Sequence, residues 1–216
     1  MALSYNIADI RTNYSKQALT EDTVDENPIK QFQFWLEEAI KAAAEEPTAF
    51  VLSTVSPEGK PSARVVLLKE VDERGFVFYT NYSSRKGKEL EQNPYACFTF
   101  FWPALERQVR VEGNIMRVPE EESDAYFKSR PKGSQIGAWA SPQSQVISGR
   151  DVLQDADQKY TEQFASTDLI PRPSHWGGYV LQPIRLEFWQ GRPNRLHDRI
   201  MYESVDGKWQ INRLAP

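Results

Sequence analysis

Three strand-like segments follow one another early in the chain with only tight turns between them. The segments are residues 49–55, 63–70 and 76–80, and their separators contain Pro57-Glu-Gly59 and Asp72-Glu-Arg-Gly75. Proline and glycine in such separators indicate turns. Parallel pairing would need a crossover connection of a dozen or more residues, which these separators do not provide. The sequence therefore predicts antiparallel pairing and disfavours a fold built from parallel βαβ units.

The rest of the chain alternates between strand and helix patterns. Further strands are predicted at residues 96–102, 107–117, 179–189 and 208–211, and helices at residues 28–46, 84–92, 119–130 and 151–164. Successive strands with a few helices around them indicate a mainly β protein with peripheral helices, an α+β antiparallel barrel or meander. Residues 1–27 are polar and mixed, and we expect them to form a mobile arm before one domain, residues 28–216.

Composition limits the class of ligand and the cellular location. The net charge is −4 over 216 residues, so nucleic acid is disfavoured and a phosphate site must come from a local cluster of cations. One cysteine excludes an internal disulfide, and one cysteine with two distant histidines offers no metal-ligand spacing. No apolar run has membrane-spanning length, and the N-terminal residues lack a signal-peptide core. We therefore expect a cytoplasmic protein without a metal.

The densest cationic segment is Trp189-Gln-Gly-Arg-Pro-Asn-Arg-Leu-His-Asp-Arg199. On an extended strand, the alternation Arg195-x-His197-x-Arg199 would place three side chains on one face. Arginine binds phosphate and carboxylate through paired hydrogen bonds, and histidine exchanges a proton near neutral pH. Such a face suits a planar, phosphorylated ligand, although a solvated surface strand accounts equally well for the cluster taken alone.

The helix predicted at residues 84–92 begins with charges of the wrong sign. Ser84 is suited to cap the helix, and its first turn carries Arg85, Lys86 and Lys88. A helix N-terminus favours negative charge, so a bound anion would resolve the conflict. We favour a phosphate site here over a surface helix with unfavourable charge placement, which would cost only about 0.3–1 kcal/mol per charge.

A second anion cradle is predicted where the next helix ends. Tyr126 and Arg130 are four residues apart and share a helix face, and Ser134 follows beyond Pro131. A frayed helix end explains this segment equally well. Three other candidates for ligand binding are the strand 64–69, Gln108 and the loop 141–145, and ordinary structural roles explain them at least as well. Two anion sites together indicate a phosphorylated cofactor and a phosphorylated substrate. The chain has no Gly-x-Gly-x-x-Gly and no Walker loop, which disfavours a Rossmann dinucleotide or a P-loop nucleotide.

Several segments resemble the pyridoxine/pyridoxamine 5′-phosphate oxidase family. In the family's order, the matching segments are RVVLLK, FYTNYSSRKGKELEQNP, LERQVRVEG, YFKSRPKGSQIGAWASPQS, WGGY, EFWQGRPNRLHDR and RLAP. The resemblance implies an FMN-binding split β-barrel and a homodimer with FMN at the subunit interface. It also implies oxidation of pyridoxamine or pyridoxine 5′-phosphate to pyridoxal 5′-phosphate, with dioxygen as acceptor, hydrogen peroxide as by-product and ammonia released from the amine.

The resemblance also implies roles for individual residues. The FMN contacts would be Arg64, Val65, Val66, Leu67, Leu68, Lys69, Tyr79, Thr80, Arg85, Lys86, Gln108, Gln143, Ser144, Trp189 and Arg199. The substrate contacts would be Arg11, Tyr14, Lys69, Tyr126, Arg130, Ser134, Arg195, Leu196 and His197. Arg195 and His197 would be catalytic, orienting the pyridine ring and assisting proton movement. An FMN oxidase of another substrate and a non-catalytic flavin or pyridoxal-phosphate binding protein are the alternatives.

Overall fold

The computed structural model describes residues 12–216, which form five α-helices and nine strands. The helices are α1 (Pro28–Lys41), α2 (Arg85–Gln92), α3 (Glu120–Ser129), α4 (Lys132–Ala140) and α5 (Asp151–Gln163). The strands are β1 (Ala49–Val55), β2 (Pro61–Leu67), β3 (Glu70–Asp72), β4 (Gly75–Asn81), β5 (Tyr95–Trp102), β6 (Arg107–Arg117), β7 (Trp176–Gln190), β8 (Asp198–Val205) and β9 (Lys208–Arg213). Within residues 12–216, no helix is long and apolar enough to cross a membrane.

The strands are hydrogen-bonded in the order β2-β1-β5-β6-β7-β4-β3, with β8 joined to β7 and β9 joined to β8. The pairs β1–β2, β3–β4, β4–β7, β7–β8 and β8–β9 are antiparallel. The predicted mainly β architecture with antiparallel pairing is therefore confirmed.

Contacts between residues divide the described chain into two compact units. The first unit consists of residues 12–47, 99–111 and 185–216, and the second of residues 48–98 and 112–184. Strands β5, β6 and β7 each contribute residues to both units. The units thus interleave along the chain, whereas the expected arm at residues 1–27 and single domain at residues 28–216 stay a prediction.

The core of the second unit is built from phenylalanines on alternate positions of its strands. Phe50 of β1 stacks on Phe98 of β5 with ring centroids 4.2 Å apart. Phe78 of β4 meets Phe98 edge-on at 5.5 Å, and all three rings are fully buried. Because β1 is fixed by this core, its antiparallel partner β2 is also fixed, and Arg64 lies opposite Leu52 in the register.

In the first unit, helix α1 packs through its aromatic face. Trp35 contacts Phe188 of β7 edge-on, with centroids 5.2 Å apart. The guanidinium of Arg107 lies 4.3 Å from the Trp35 ring and also pairs with Glu38 at 2.6 Å. A buried cation placed between an aromatic face and a carboxylate is compensated on both sides. These contacts therefore attach α1 to β6 and β7.

Asn27 caps the start of α1, and its loss gives a stability prediction. The Asn27 side chain accepts hydrogen bonds from the Ile29 and Lys30 backbone amides at 2.9 and 3.4 Å. We expect Asn27→Ala to lower the free energy of unfolding by about 1 kcal/mol, because two helix donors lose their acceptor. Urea denaturation followed by circular dichroism measures the change. Asn27→Asp keeps the acceptor and serves as the control; an equal loss in both variants would contradict the capping role.

Two predicted element boundaries are wrong, one at the end of α1 and one within the strand predicted at residues 63–70. Helix α1 ends at Lys41 and not at residue 46, because Ala43 and Glu46 adopt φ values of 51° and 44°. Glu46 precedes Pro47, and a proline disfavours the helical region for the residue before it. The strand predicted at residues 63–70 is two strands, because the amide of Leu68 donates to Thr48 whereas that of Lys69 donates to Val77. The chain therefore changes pairing partners between these two residues.

Helix α4 and strand β8 were not predicted. The segment of α4 follows Pro131, and its first turn is closed by the Ser134 and Gln135 amides, which donate to the Pro131 carbonyl. The segment has low polarity and so lacks a clear helical alternation of polar and apolar residues. It also contains two glycines, which are poor helix formers. The extended segment considered in the sequence runs through Arg195, whereas strand β8 begins only at Asp198 and continues to Val205.

Candidate functional site

The start of α2 gathers polar groups around the ammonium of Lys86, a half-buried residue. Ser84 caps the helix through its hydroxyl, which accepts from the Gly87 amide at 3.3 Å, and the first turn contains no acidic residue. Lys86 donates through Nζ to Gln143 Oε1 at 2.8 Å and to Thr80 Oγ1 at 3.2 Å. Burial, reinforced by the charge of Arg64, lowers the pKa of Lys86 to about 8. The structure thus brings together Thr80, Lys86 and Gln143, which were all predicted cofactor contacts.

Helix α2 also carries a buried carboxylate that was not predicted. Glu89 is 5% exposed and accepts hydrogen bonds from Thr54 at 2.5 Å, Ser62 at 2.6 Å and Arg85 Nε at 2.8 Å. Burial alone would raise the pKa of Glu89, but these hydrogen bonds outweigh it and lower the pKa to about 2. The i, i+4 spacing from Arg85 was a signal for this pair.

Arg64 joins the same network through both terminal nitrogens. Its Nη1 donates to Thr54 at 2.6 Å and its Nη2 to Ser62 at 2.5 Å, with Glu89 3.4 Å away. Arg85 keeps its terminal nitrogens toward solvent, since the bond to Glu89 uses Nε and the side chain is largely exposed. Arg64 is therefore held as a fixed charge, whereas Arg85 retains donors for an anion.

The other predicted cofactor residues of β2 and the following turn differ in exposure. Val65 and Leu67 are exposed, Val66 is half-buried and Leu68 is buried in the core. Lys69 has an exposed side chain, and Ser144 occupies an exposed turn with φ 69°. For these residues a role in cofactor binding stays a prediction.

A pocket of about 250 Å³ is lined by Arg130 and Ser134. Asn81, Gln143 and Trp176 contribute to the same walls, so the pocket adjoins the Lys86 group through Gln143. Arg130 Nη1 is buried and has no hydrogen-bond partner among the described residues. Burial lowers the pKa of Arg130, which shows a guanidinium that lacks full compensation. An anion in the pocket would supply the missing acceptor.

Two tyrosine rings lie parallel to Trp176, which lines this pocket. Tyr126, predicted to contact the substrate, stacks on Tyr79, predicted to contact the cofactor, with centroids 4.0 Å apart. Trp176 lies nearly parallel to both rings, at 5.5 Å from Tyr79 and 6.2 Å from Tyr126. The Arg130 guanidinium carbon is 4.6 Å from the centre of the Trp176 ring. Trp176 was missed because nothing local to it in the sequence indicates a charged partner 46 residues away.

The first unit contains a separate pocket of about 600 Å³. Its lining residues are Thr12, Asn13, Tyr14, Arg192, Asn194, Arg195 and His197. The predicted substrate residues Tyr14, Arg195 and His197 are thus brought together, while Leu196 has an exposed side chain. Arg11, also predicted to contact substrate, lies outside the described residues.

The predicted strand alternation through Arg195, His197 and Arg199 is wrong. Residues Pro193–Arg195 form a single 3₁₀ turn in which Asn194 and Arg195 have φ values of 58° and 62°, and β8 begins only at Asp198. A proline with a left-handed residue behind it favours a turn and not an extended chain. Arg195 and His197 therefore meet in the same pocket through a turn.

His197 is held by neighbours of the same unit. Its Nδ1 accepts a hydrogen bond from the Arg192 amide at 3.1 Å, so the neutral ring carries its proton on Nε2. Burial, together with the charge of Arg195, lowers the pKa of His197. The ring lies 4.6 Å from Trp189 and 5.9 Å from Tyr14. A neutral imidazole with a fixed tautomer is suited to donate a hydrogen bond to a ligand.

Two further predicted cofactor contacts are cross-strand partners. Trp189 of β7 lies opposite Arg199 of β8, and Arg199 donates to Glu187 at 2.7 Å. This hydrogen bond is the main reason that the pKa of Arg199 is raised. The buried Glu187 also pairs at 3.3 Å with Arg110, whose side chain is partly exposed; this contact was not predicted. Gln108, half-buried on β6, stays a predicted contact.

Comparison with known proteins identifies relatives over the whole chain. A family model described as pyridoxamine 5′-phosphate oxidase matches residues 36–163, and one described as pyridoxine 5′-phosphate oxidase C-terminal dimerisation region matches residues 176–216. A pyridoxine/pyridoxamine 5′-phosphate oxidase of Cyanothece sp. is 53% identical, over 99% of this chain and 100% of the relative. A relative of the same description from Ralstonia nicotianae is 56% identical, over 98% of this chain and 99% of the relative.

Solved structures show the same architecture. PhzG from Burkholderia lata, crystallised with tetrahydrophenazine-1-carboxylic acid, is 31% identical, with a TM-score of 0.87 over 94% of this chain and 100% of that chain. A pyridoxamine 5′-phosphate oxidase-related, FMN-binding protein from Nostoc punctiforme is 16% identical, with a TM-score of 0.71 over 89% and 100%. The fold is accordingly that of the split β-barrel class, as predicted. Within this class, the chain belongs to the pyridoxamine 5′-phosphate oxidase family.

Proposed function

We propose that the protein is an FMN-dependent oxidase that converts pyridoxamine or pyridoxine 5′-phosphate to pyridoxal 5′-phosphate. Full-length relatives that are more than half identical carry that activity in their names. The observation that carries the proposal in this chain is the buried, unpartnered Nη1 of Arg130, which is suited to a substrate phosphate.

The residues of the second unit fit a phosphorylated flavin. A half-buried ammonium at the start of a helix with no acid in its first turn is suited to bind an anion, by charge and by free backbone donors. Lys86, Arg85 and Thr80 would hold the FMN phosphate, and Arg64 would add a fixed positive charge nearby. When bound, FMN supplies two-electron redox chemistry that no side chain of this protein provides.

The protein's own part in the reaction is binding and orientation. Arg130, Ser134 and Tyr126 would hold the substrate phosphate, and Arg195 and His197 would orient the pyridine ring. We propose that His197 acts through its Nε2–H, because Nδ1 already accepts from Arg192. Tyr14, packed edge-on against Trp189 at 5.6 Å, would help to exclude water from the ligand.

The oligomeric state and the electron acceptor also belong to the proposal. The match of residues 176–216 to a dimerisation region supports a homodimer. We propose that FMN lies at the interface of that dimer and that dioxygen is the acceptor, giving hydrogen peroxide.

Aldehyde formation under air tests the proposed function. The purified, FMN-loaded protein is incubated with pyridoxamine 5′-phosphate or pyridoxine 5′-phosphate, and pyridoxal 5′-phosphate and hydrogen peroxide are measured together. We expect both products in equal amounts from either substrate. Flavin bound without turnover of either substrate would favour a binding protein, and turnover of an unphosphorylated amine alone would favour an oxidase of another substrate.

The lowered pKa of Lys86 predicts a pH-dependent affinity for FMN. A phosphate favours the ammonium form, so above pH 8 binding must take up a proton that is already lost in the cofactor-free protein. If the phosphate restores an ordinary lysine pKa, the dissociation constant should rise about tenfold between pH 7.5 and pH 9. Quenching of flavin fluorescence on titration with cofactor-free protein measures the affinity.

Riboflavin and Lys86→Arg are the controls for this pH dependence. Riboflavin lacks the phosphate, and arginine keeps its charge throughout this range, so both titrations should be flat. A wild-type FMN affinity that is constant from pH 7.5 to pH 9 would contradict a phosphate at Lys86.

A further inference from the structure

Trp176 belongs to a buried hydrophobic cluster and also lines the candidate phosphate pocket. It is the first residue of β7, is 6% exposed and packs in a cluster with Phe127 and Ile136. Its backbone is fixed on both sides, because its carbonyl accepts from Arg172 at 2.7 Å and its position is paired with Asn81 of β4. The indole is therefore a rigid part of the second unit.

The three stacked rings also fix the plane of the indole. Trp176 is inclined by only 11° to Tyr79 and by 7° to Tyr126. A ring held between a buried cluster and two parallel rings has little freedom to rotate. The face that meets the Arg130 guanidinium is thus set before any ligand binds.

Contact with a ring face stabilises a guanidinium in a way that differs from an ion pair. The face of an indole carries partial negative charge and attracts a cation without using any of its N–H donors. A carboxylate would stabilise the charge as well, but it would occupy the donors and repel a phosphate. The guanidinium carbon of Arg130 is 4.6 Å from the Trp176 ring centre, and its Nη1 is buried and unpartnered. The arrangement leaves the cation partly compensated, with Nη1 free to donate, on a residue that lines the pocket.

We propose that Trp176 is a positioning residue, which holds Arg130 over its ring so that the free donors receive the substrate phosphate. The inference rests on the proposed function, since it takes the occupant of the Arg130 pocket to be the phosphate of a pyridoxine derivative. It assigns to Trp176 a specificity for phosphorylated over unphosphorylated substrate.

Graded fluorination of Trp176 tests the proposal without changing the shape of the ring. Fluorine withdraws electron density from the indole face and weakens its attraction for a cation. Tryptophans with one to four fluorines are incorporated at position 176 only, and the FMN-loaded protein is assayed with pyridoxamine 5′-phosphate and with pyridoxamine. We expect KM for pyridoxamine 5′-phosphate to rise with each added fluorine, to about tenfold above wild type with four. The value of kcat should stay nearly constant, and KM for pyridoxamine should not change.

The same substitution at Trp139 is the matched control. Trp139 packs against the same cluster but contacts Tyr160 and Phe164 and does not line the Arg130 pocket. Fluorination there should leave both KM values unchanged. A second comparison uses Trp176→Leu and Phe164→Leu, which each replace an aromatic ring of the cluster with a smaller aliphatic side chain. Only Trp176→Leu should reduce the preference for the phosphorylated substrate, by about tenfold.

The outcomes separate this inference from the proposed function. A wild-type protein that oxidises neither phosphorylated substrate would overturn the proposed function. A wild-type protein that oxidises them, with a KM that does not respond to fluorine, would overturn only the role of Trp176. Calorimetric titration of the FMN-loaded proteins with inorganic phosphate gives a reading without turnover. Its dissociation constant should rise across the fluorinated series, and a constant value would also overturn the assignment.

Discussion

Replacing Arg130 with methionine is expected to lower kcat/KM for pyridoxamine 5′-phosphate by about 30- to 1000-fold, mostly through KM. Removing one partner of a buried charge pair costs about 2–4 kcal/mol, because the other charge is left without compensation. Arg130 lines a pocket with Ser134, and its buried Nη1 has no hydrogen-bond partner among the described residues. Steady-state kinetics with the phosphorylated substrate and with pyridoxamine measure the effect, which should be confined to the phosphorylated form.

Two variants control this result. Arg130→Lys keeps the charge but loses the planar fork of donors, so we expect an intermediate loss of about tenfold. Lys128→Met removes an exposed cation two residues earlier on α3 and should leave kcat/KM unchanged. An Arg130→Met variant whose KM for pyridoxamine 5′-phosphate stays within about twofold of wild type would mean that the phosphate binds elsewhere.

Replacing His197 with leucine is expected to lower kcat/KM for both substrates by about 100-fold. Leucine removes the acceptor of the Arg192 amide and the donor on Nε2, so the turn at Pro193–Arg195 and the ligand both lose a partner. His197→Gln restores a donor and an acceptor and should recover about tenfold of the loss. Because the pKa of His197 is lowered, wild-type kcat/KM should be constant near neutral pH and fall in acid, where protonation of Nδ1 breaks the bond from Arg192.

The other histidine supplies the control for this experiment. His175 lies in the second unit with its Nε2 3.1 Å from the Ala138 carbonyl oxygen, and His175→Gln should have little effect on turnover. If glutamine at position 197 is no better than leucine, the histidine transfers a proton and does not merely hold one. If His197→Leu is as active as wild type, the residue has no part in the reaction.

The local features that were predicted correctly are those whose cause is local. Tight turns between short strands leave only antiparallel pairing, and the structure has it. The conflict of charge at the start of α2 depends on three consecutive residues, Ser84, Arg85 and Lys86, and the structure shows the cap and a half-buried ammonium there. Wrong boundaries occur where a backbone angle decides, as at Glu46 and Arg195, or where the chain changes pairing partners, as between Leu68 and Lys69.

Partners of the site residues were not predictable in the same way. Glu89 collects hydrogen bonds from Thr54 and Ser62, which lie 35 and 27 residues earlier in the chain. Nothing in the local pattern distinguishes a buried carboxylate of this kind from a solvated one on a helix surface. Burial and hydrogen bonding depend on which strands pack against the helix, and that is a property of the whole sheet.

The sequence by itself determined the antiparallel pairing of its early strands, the cationic residues available and, through resemblance, the family. Only the tertiary structure decided which of those cations keep donors free. Both terminal nitrogens of Arg64 donate to acceptors within the protein. Arg130 lies over Trp176, and its buried Nη1 has no hydrogen-bond partner among the described residues. The physical reason is that a guanidinium is the same in every sequence, while its free donors depend on neighbours brought by other parts of the chain.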